Sequence, residues 1–465
     1  MCSFCPNIVN SFINEILLLS VMKPEHRTAL QTVLENIRPD EKQHYVNIFH
    51  REDPSRFALI KVSGQCIEAS LEKTVFDLDQ LRRENLFPSV LIGWGNILTK
   101  RLEEEGIETR FVNGNRYTDG QTLEVLKEVV EGIAKSFVAF GEMYGVKIHD
   151  LTSSGIISAK QLDPSLGYVG EVTGIDTMPI RMACENGGVP LLAPIGYDEN
   201  GQMYNINADN VGRELILNLH PSKYVVLTPP GGVWDSNGKL LSKISIVDDY
   251  DDLVANGILT GGMLKKVDEA KQLLEELNNG YAVQLTSPMD LLTELLTYKG
   301  SGTKIVLGYH TSVHDSFQRL EQTKLEELFG KALGKKVIDH YFETEQVRSV
   351  IVEEDYDGAI VLEDQVGSTY MDKFAVTAKS REMGLGTKLF TEALDQSENG
   401  MFWRSSVDNP FNPWYFRRIQ QFKGGCQVDG DWIVYWIGTD PEKTQDLVQY
   451  AANKEKTMVD DKDGK

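Results

Sequence analysis

The run Arg381-Glu382-Met383-Gly384-Leu385-Gly386 has the make-up of an anion-binding turn. Glycines there let the chain turn tightly between a strand and a helix. The free N–H groups of the helix start then point outward with the positive end of its dipole, a geometry that binds a pyrophosphate. A second constellation lies upstream. Lys61-Val62-Ser63-Gly64 and Gly93-Trp94-Gly95 end strand-like runs, and Asn205-Ile206-Asn207-Ala208-Asp209 and Gly261-Gly262-Met263-Leu264-Lys265-Lys266 open helices. Gly300-Ser301-Gly302-Thr303 precedes a last strand. Most of these sit where open α/β sheets place ligands. Two separated lysines, Lys61 and Lys266, with Asp209 and glycine loops suit phosphoryl transfer. The loops approach the phosphates, the lysines offset developing charge, and the Asp holds them in position. Metal chemistry is not expected. His310 and His314 lack a third ligand nearby, and the Cys2-x-x-Cys5 pair has no second pair to complete a zinc site.

These residues need elements to hold them. Phe57–Val62, Ser89–Ile92, Tyr224–Thr228, Ala282–Leu285 and Lys304–Leu307 read as buried strands. Leu123–Ala139 and Gly262–Leu277 read as helices, the second stopped by Asn278-Asn279-Gly280. Strands alternating with helices over residues 51–308 predict a doubly wound, mostly parallel α/β sheet. Beyond Gly308 a polar, His-containing link leads to a helix near Leu320–Leu333. Strand-like runs at Ser349–Val352, Gly358–Leu362 and Met371–Ala378 follow, then a helix from Leu385 to Leu394. These predict a second, smaller α/β unit over residues 315–450 with antiparallel character. The charged residues 454–465 read as a flexible tail.

Composition sets the outer limits. The 465 residues carry 47 Lys plus Arg against 69 Asp plus Glu, a formal charge of −22. That balance argues against a nucleic-acid partner, whose phosphates call for many cations. It leaves anionic small ligands open, since they respond to local charge. Five scattered cysteines imply no disulfide framework and a reducing compartment. Residues 7–21, NIVNSFINEILLLSV, carry Glu15 mid-run and no preceding basic residue, so neither an export signal nor a membrane span is expected. Ile8, Phe12, Ile16 and Leu19 instead recur at helical spacing. Residues 1–50 therefore read as a helical extension, and the cytoplasm is the expected location.

Phe402-Trp403-Arg404-Ser405-Ser406-Val407-Asp408-Asn409-Pro410-Phe411-Asn412-Pro413-Trp414-Tyr415-Phe416 is chemically unusual. With Tyr370-Met371-Asp372-Lys373-Phe374-Ala375-Val376 and the Arg381–Gly386 turn, it closely resembles the acetyltransferase domain, of the GNAT fold, of the vertebrate-like N-acetylglutamate synthases. The resemblance implies that Arg381, Gly384 and Gly386 hold the pyrophosphate of acetyl-CoA. It implies that Lys373, Arg404 and Asn409 bind L-glutamate, and that Lys373 and Tyr415 assist proton transfer. The family usually has a second Arg where this chain has Ser406, which removes one carboxylate contact.

Over residues 51–308 the ordered set of loops resembles the amino-acid kinase fold, specifically the N-acetylglutamate kinases, whose substrate loop matches Asn113-Gly114-Asn115-Arg116-Tyr117-Thr118-Asp119. The resemblance implies Lys61 and Lys266 on the phosphates of ATP, carried with Mg2+, and Asp209 organising them. Gly93, Gly95, Arg116 and Asn205 would bind acetylglutamate. Ser63 replaces a usual loop glycine, Ile92 a usual histidine, and Trp94 a usual small residue. Such kinases often carry an N-terminal helix and an arginine effector site near Glu294 and Gly300, and the family implies a homo-oligomer, a tetramer or a similar assembly.

The sequence thus predicts a two-domain arginine-biosynthesis enzyme: a glutamate N-acetyltransferase with an N-acetylglutamate kinase. Three other readings stay open: a synthase whose kinase domain only binds arginine, a kinase with a degenerate acetyltransferase, and a non-catalytic regulatory subunit.

Overall fold

The computed structural model describes residues 54–459, apart from 113, 278–280 and 298–299. The helical extension expected over residues 1–50 lies outside the described residues. The chain divides into two compact units between Val306 and Leu307.

In the first unit eight strands share one sheet. They are β1 (Ala58–Val62), β2 (Ser89–Ile92), β3 (Ile148–Asp150), β4 (Val189–Leu192), β5 (Lys223–Leu227), β6 (Lys243–Ser245), β7 (Ala282–Thr286) and β8 (Thr303–Val306). Their order is β6-β8-β7-β5-β1-β2-β4-β3, and every pair is parallel except β7 with β8. Parallel strands covered on both faces read as continuous apolar runs. In β1 every residue is buried except Lys61, whose partial exposure marks the active edge. Side-chain caps start the helices that carry the site. Ser63 accepts from the Cys66 amide (3.4 Å) at the head of α1 (Gly64–Arg83), and Asn207 accepts from the Asp209 amide (2.9 Å) at the head of α4 (Ala208–Leu219). Between them lie α2 (Gly95–Glu104) and α3 (Gly120–Tyr144), and α5 (Gly261–Leu277) and α6 (Leu291–Leu296) follow. Residues 157–205 add a second four-stranded sheet. Its short, half-exposed strands lack apolar runs, so sequence patterning passes over them.

The second unit is built on a seven-stranded sheet. Its strands are β9 (Thr311–His314), β10 (Val347–Glu353), β11 (Gly358–Gln365), β12 (Ser368–Val376), β13 (Met401–Ser406), β14 (Gly425–Asp429) and β15 (Trp432–Ile437), in the order β9-β10-β11-β12-β13-β15-β14. Only β12 and β13 run parallel, and they pair at just Thr369–Met401 and Tyr370–Phe402 before parting. One face packs on α7 (Gln322–Leu333) and α11 (Thr444–Asn453), the other on α9 (Leu385–Asp395) and α10 (Asn412–Gln421); α8 (Ala378–Met383) joins β12 to α9.

A bulge in β12 decides which side chains face which way. Val361 lies opposite Lys373 and Leu362 opposite Met371, so Asp372 is the extra residue. Met371 and Phe374 therefore both pack on the α9 side, while Asp372 and Lys373 both turn to the other.

Two expectations are corrected. The polar link after Gly308 is in part an edge strand, β9, which edges of sheets tolerate because polar side chains there meet water. Residues 454–459 of the expected tail are held: Met458–Val459 pairs with Lys336–Val337. Among the described residues no helix is long and apolar enough to cross a membrane.

Candidate active sites

In the first unit two adjoining cavities of about 430 and 460 Å³ meet at Lys61, Asn115, Asn207, Lys265 and Lys266. Lys61 projects from the end of β1 and donates to the Asp209 carboxylate at the head of α4. Burial alone would raise the Asp209 carboxyl, but the charge and hydrogen bond of Lys61 outweigh it and hold the group below its ordinary value. Lys266 lines both cavities from the second turn of α5, where its ammonium reaches the Gly262 carbonyl (3.4 Å). The three residues read as phosphoryl-transfer groups are thus brought together. Glu269, absent from the sequence expectation, joins them. Burial and the Asp209 charge push its carboxyl up to about 7, and Lys265 stands 3.9 Å away. Its position one helical turn beyond Lys265 and Lys266 was the available signal.

The second cavity carries the residues expected to bind acetylglutamate. Gly93, Gly95, Arg116 and Asn205 all line it. Arg116 is 7% exposed and fixed by the Gly95 carbonyl (2.8 Å), Thr99 Oγ1 (2.7 Å) and Thr109 Oγ1 (3.2 Å), with its guanidinium 4.7 Å from the Phe111 ring centre. Asn205 donates to Thr118 Oγ1 (3.0 Å). The loops after β1 and β2 touch: a Cβ at Gly64 would overlap Asn96 and lie 3.2 Å from the Gly93 carbonyl. Trp94 is 5% exposed, packs into the core and forms part of this cavity's lining.

The expected effector pair closes on itself. The buried Glu294 carboxylate accepts from the amides of Ser301 (2.8 Å) and Gly302 (3.0 Å). Gly300 has φ +64°, and a Cβ there would lie 2.7 Å from Glu294 Oε2. Glu294 and Gly300 together hold the loop before β8.

In the second unit a cavity of about 440 Å³ is walled by Phe374 and Val376 of β12, Arg381, Gly386, Thr387, Ser406, Asn409, Phe411, Trp414 and Tyr415. Gly384 takes φ +95° and ends α8 where α9 begins, and its carbonyl accepts from Thr387 (3.1 Å) and Lys388 (3.2 Å). The amides of Leu385 and Gly386 precede the first helical bonds and are free for an anion. Arg381 Nε donates to the Val376 carbonyl (2.8 Å), and its guanidinium lies 4.4 Å from the Phe411 ring centre. A Cβ at Gly386 would meet Phe374 at 3.5 Å, an ordinary contact. The fold would accept a side chain there, so the glycine keeps the cavity floor low. Tyr415, 9% exposed, packs its ring against Trp403 and Tyr435, each with centroids at 5.5 Å. Burial pushes its phenol well up, so the group stays protonated at neutral pH.

The three residues expected to bind glutamate are not brought into one cluster. Asn409 lines the cavity and donates to Ser405 Oγ (2.8 Å). The bulge turns Lys373 to the opposite face, where its ammonium meets Asp372 Oδ2 (2.6 Å) and the Thr457 hydroxyl. Arg404 also lies on that face, donating to the carbonyls of Ala451, Lys454 and Glu455. Lys373 is therefore no neighbour of Tyr415, and a direct proton relay between them is not formed. Asp372, Lys454 and Thr457 were missed; the bulge and the returning tail that bring them in leave no periodic trace. Among the described residues no group of three His, Cys, Asp or Glu could hold a metal ion.

Comparison with known proteins gives the following. Residues 56–283 match the amino acid kinase family, and residues 312–454 match the N-acetyltransferase of N-acetylglutamate synthase. An acetylglutamate kinase of Xanthomonas campestris is 32% identical over 90% of this chain and 99% of its own. The human mitochondrial N-acetylglutamate synthase is 28% identical over 89% of this chain and 75% of its own. The N-acetylglutamate synthase of Neisseria gonorrhoeae, solved with coenzyme A and N-acetyl-glutamate, has TM-score 0.65 at 17% identity, over 90% of this chain and 96% of that one. Its complex with coenzyme A and L-arginine has TM-score 0.52 at 16% identity, over 86% and 98%.

Proposed function

We propose, on the premise that this chain belongs to the acetylglutamate kinase family in which an amino-acid kinase unit precedes a synthase-type N-acetyltransferase unit, that it makes N-acetyl-L-glutamate and then phosphorylates it. The observation that carries the synthase half is the buried, protonated Tyr415 phenol in the wall of the cavity that Arg381 and Gly386 also line.

Acetyl-CoA enters that cavity with its pyrophosphate on the amides at the head of α9. L-Glutamate approaches from the other face, its carboxylates toward Lys373 and Arg404, and the gap where β12 and β13 part lets its amine meet the thioester. The neutral amine attacks the thioester carbonyl. As the tetrahedral adduct collapses the C–S bond breaks, Tyr415 gives its proton to the departing sulfur, and the phenolate takes the proton from the new amide nitrogen. The phenol is regenerated and the proton count closes.

In the first unit the product binds against Arg116 and Asn205, and ATP with its Mg2+ lies in the adjoining cavity. Lys61, set by Asp209, and Lys266 stand where the two cavities meet. They offset the charge on the γ-phosphoryl group as it passes to the side-chain carboxylate. Mg2+ comes in on the nucleotide phosphates, since the Asp209 carboxylate is taken by Lys61. Feedback by arginine belongs to the same proposal, supported by the Neisseria complex; a rate unchanged by millimolar arginine would remove it.

Two assays on the full chain test the reading: thiol release from acetyl-CoA with glutamate, and trapping of the acyl phosphate by hydroxylamine with ATP. Both are expected. Thiol release without trapped acyl phosphate would leave the kinase unit a regulatory one, and the reverse would leave a kinase alone.

A further inference from the structure

Residues 451–459 return across the sheet face that carries Lys373 and Arg404, and they occupy both cations. Arg404 Nη1 donates to the carbonyls of Ala451 (2.8 Å) and Lys454 (2.5 Å), and Nη2 to that of Glu455 (3.1 Å). Its guanidinium lies 4.3 Å from the Trp432 ring centre. The Lys373 ammonium has three N–H donors. It faces Asp372 Oδ2, the Thr457 hydroxyl and the ring of Tyr341, whose centre is 4.7 Å away. With side-chain exposure of 4%, it has no open direction left.

The partners divide into two kinds. Asp372 is charged, 3% exposed and further held by the Tyr341 hydroxyl (2.8 Å), so it belongs to the framework. The returning segment supplies neutral oxygens: three carbonyls and one hydroxyl. Those are the kind of atom a substrate carboxylate presents, without its charge. A charge-assisted hydrogen bond is about twice as strong as a neutral one, so a carboxylate can displace them. The segment's fastening beyond its anchor is short-range. Lys454 is anchored on buried Glu363 (2.6 Å); beyond it, apart from the contacts with Arg404 and Lys373, come the two-residue ladder with Lys336–Val337, the Ile338 amide on the Thr457 carbonyl (3.2 Å), Met458 against the core and Lys456 6.0 Å from the Trp432 ring centre.

We propose that residues 454–459 form a strap that closes the amino-acid side of the acetyltransferase, and that glutamate opens it by taking Arg404 and Lys373 from the strap's oxygens. This rests on the reading of those two cations as the glutamate ligands. Lys454 on Glu363 is the hinge, and the Thr457 hydroxyl is the latch.

The test uses the full chain, its Thr457→Val variant, and a chain ending at Lys456 that keeps the Lys454–Glu363 pair. Glutamate KM in the thiol-release assay should fall about threefold in Thr457→Val and further in the shortened chain, with kcat and the acetyl-CoA KM unchanged. Hydrogen exchange at the 454–459 amides of the full chain should rise on adding glutamate and not on adding coenzyme A. A glutamate KM unchanged or raised in both variants overturns the proposal, as does greater protection of those amides with glutamate. Lys373→Ala and Arg404→Ala separate the two levels. If neither raises glutamate KM, the assignment of the cations fails and the strap falls with it; if both raise it while the strap variants do nothing, the strap alone fails.

Discussion

Replacing Tyr415 by Phe removes one O–H and little else. The ring stays wedged between Trp403 and Tyr435, at 5.5 Å from each, and 6.5 Å from Phe374. The lost hydroxyl leaves an apolar wall of Phe374, Val376, Phe411 and Trp414 where the proposed reaction puts the sulfur of acetyl-CoA. A thiol of the cysteine type has pKa about 8.5 in water, and an apolar surround raises it. Expelling the sulfur as a bare thiolate into that cavity is therefore worse than expelling it into solvent. A positioned general acid contributes about 10²–10⁴ in rate, and the low end suits a leaving group that is already fairly acidic. We expect kcat for thiol release, with both substrates saturating, to fall about 10²- to 10³-fold, or about 3–4 kcal/mol in barrier. Acetyl-CoA KM should stay within about twofold, since the hydroxyl grips nothing in the ground state. Tyr435→Phe is the matched control: its ring stacks on Trp403 at 5.4 Å and 14°, yet it is not part of this cavity's wall. A loss of less than about threefold in Tyr415→Phe, or an equal loss in Tyr435→Phe, refutes the assignment.

Other expectations follow from the same contacts. Lys61→Ala should abolish acyl-phosphate trapping by at least about 10²-fold while thiol release persists, because Lys61 and Asp209 act together in phosphoryl transfer. Gly386→Ala should leave the thermal midpoint within about 2 °C, its Cβ having ordinary contacts, but raise acetyl-CoA KM about tenfold by filling the approach to the α9 amides. Glu269 gives a pH dependence. Its native carboxyl is raised from 4.5 to about 7, so the folded state holds a proton that the unfolded chain has lost across that interval. The first unit should therefore lose stability as pH rises from about 4.5 to 7, by up to about 3 kcal/mol, and level off beyond. Glu269→Gln should flatten that fall in urea unfolding; an unchanged slope would show that another group carries it.

Much of this was written in local pattern. The apolar runs of β1, β2, β5, β7 and β8 lie on both-sided buried strands, where composition and position coincide. Lys61 at the end of β1 and Gly93 just after β2 share one edge because parallel strands end on the same side, and Asp209 meets them there from the head of α4. What escaped was set by single residues or by distant chain. Period-two reading of β12 puts Lys373 and Phe374 on opposite faces, and so they are. The extra Asp372, however, reverses the relation of the strand's first half to its second. The partners of Lys373 and Arg404 come from residues some 50–85 positions later, whose charged composition reads as solvated. Glu294 is a motif residue whose sequence pattern gave no sign that its buried carboxylate accepts from the Ser301 and Gly302 amides of its own loop.

The bulge at Asp372 has an evolutionary consequence. It makes one strand serve two faces, with Phe374 and Val376 walling the cavity that the proposal gives to the coenzyme and Lys373 on the face that it gives to the amino acid. Substitutions that retune the choice of acyl acceptor can accumulate on the Lys373–Arg404 face, including its C-terminal segment, without repacking the wall against the thioester. Deleting that one residue would turn half of β12 over and exchange the two faces along it. The odd residue is what lets acceptor preference drift while the acyl donor stays fixed.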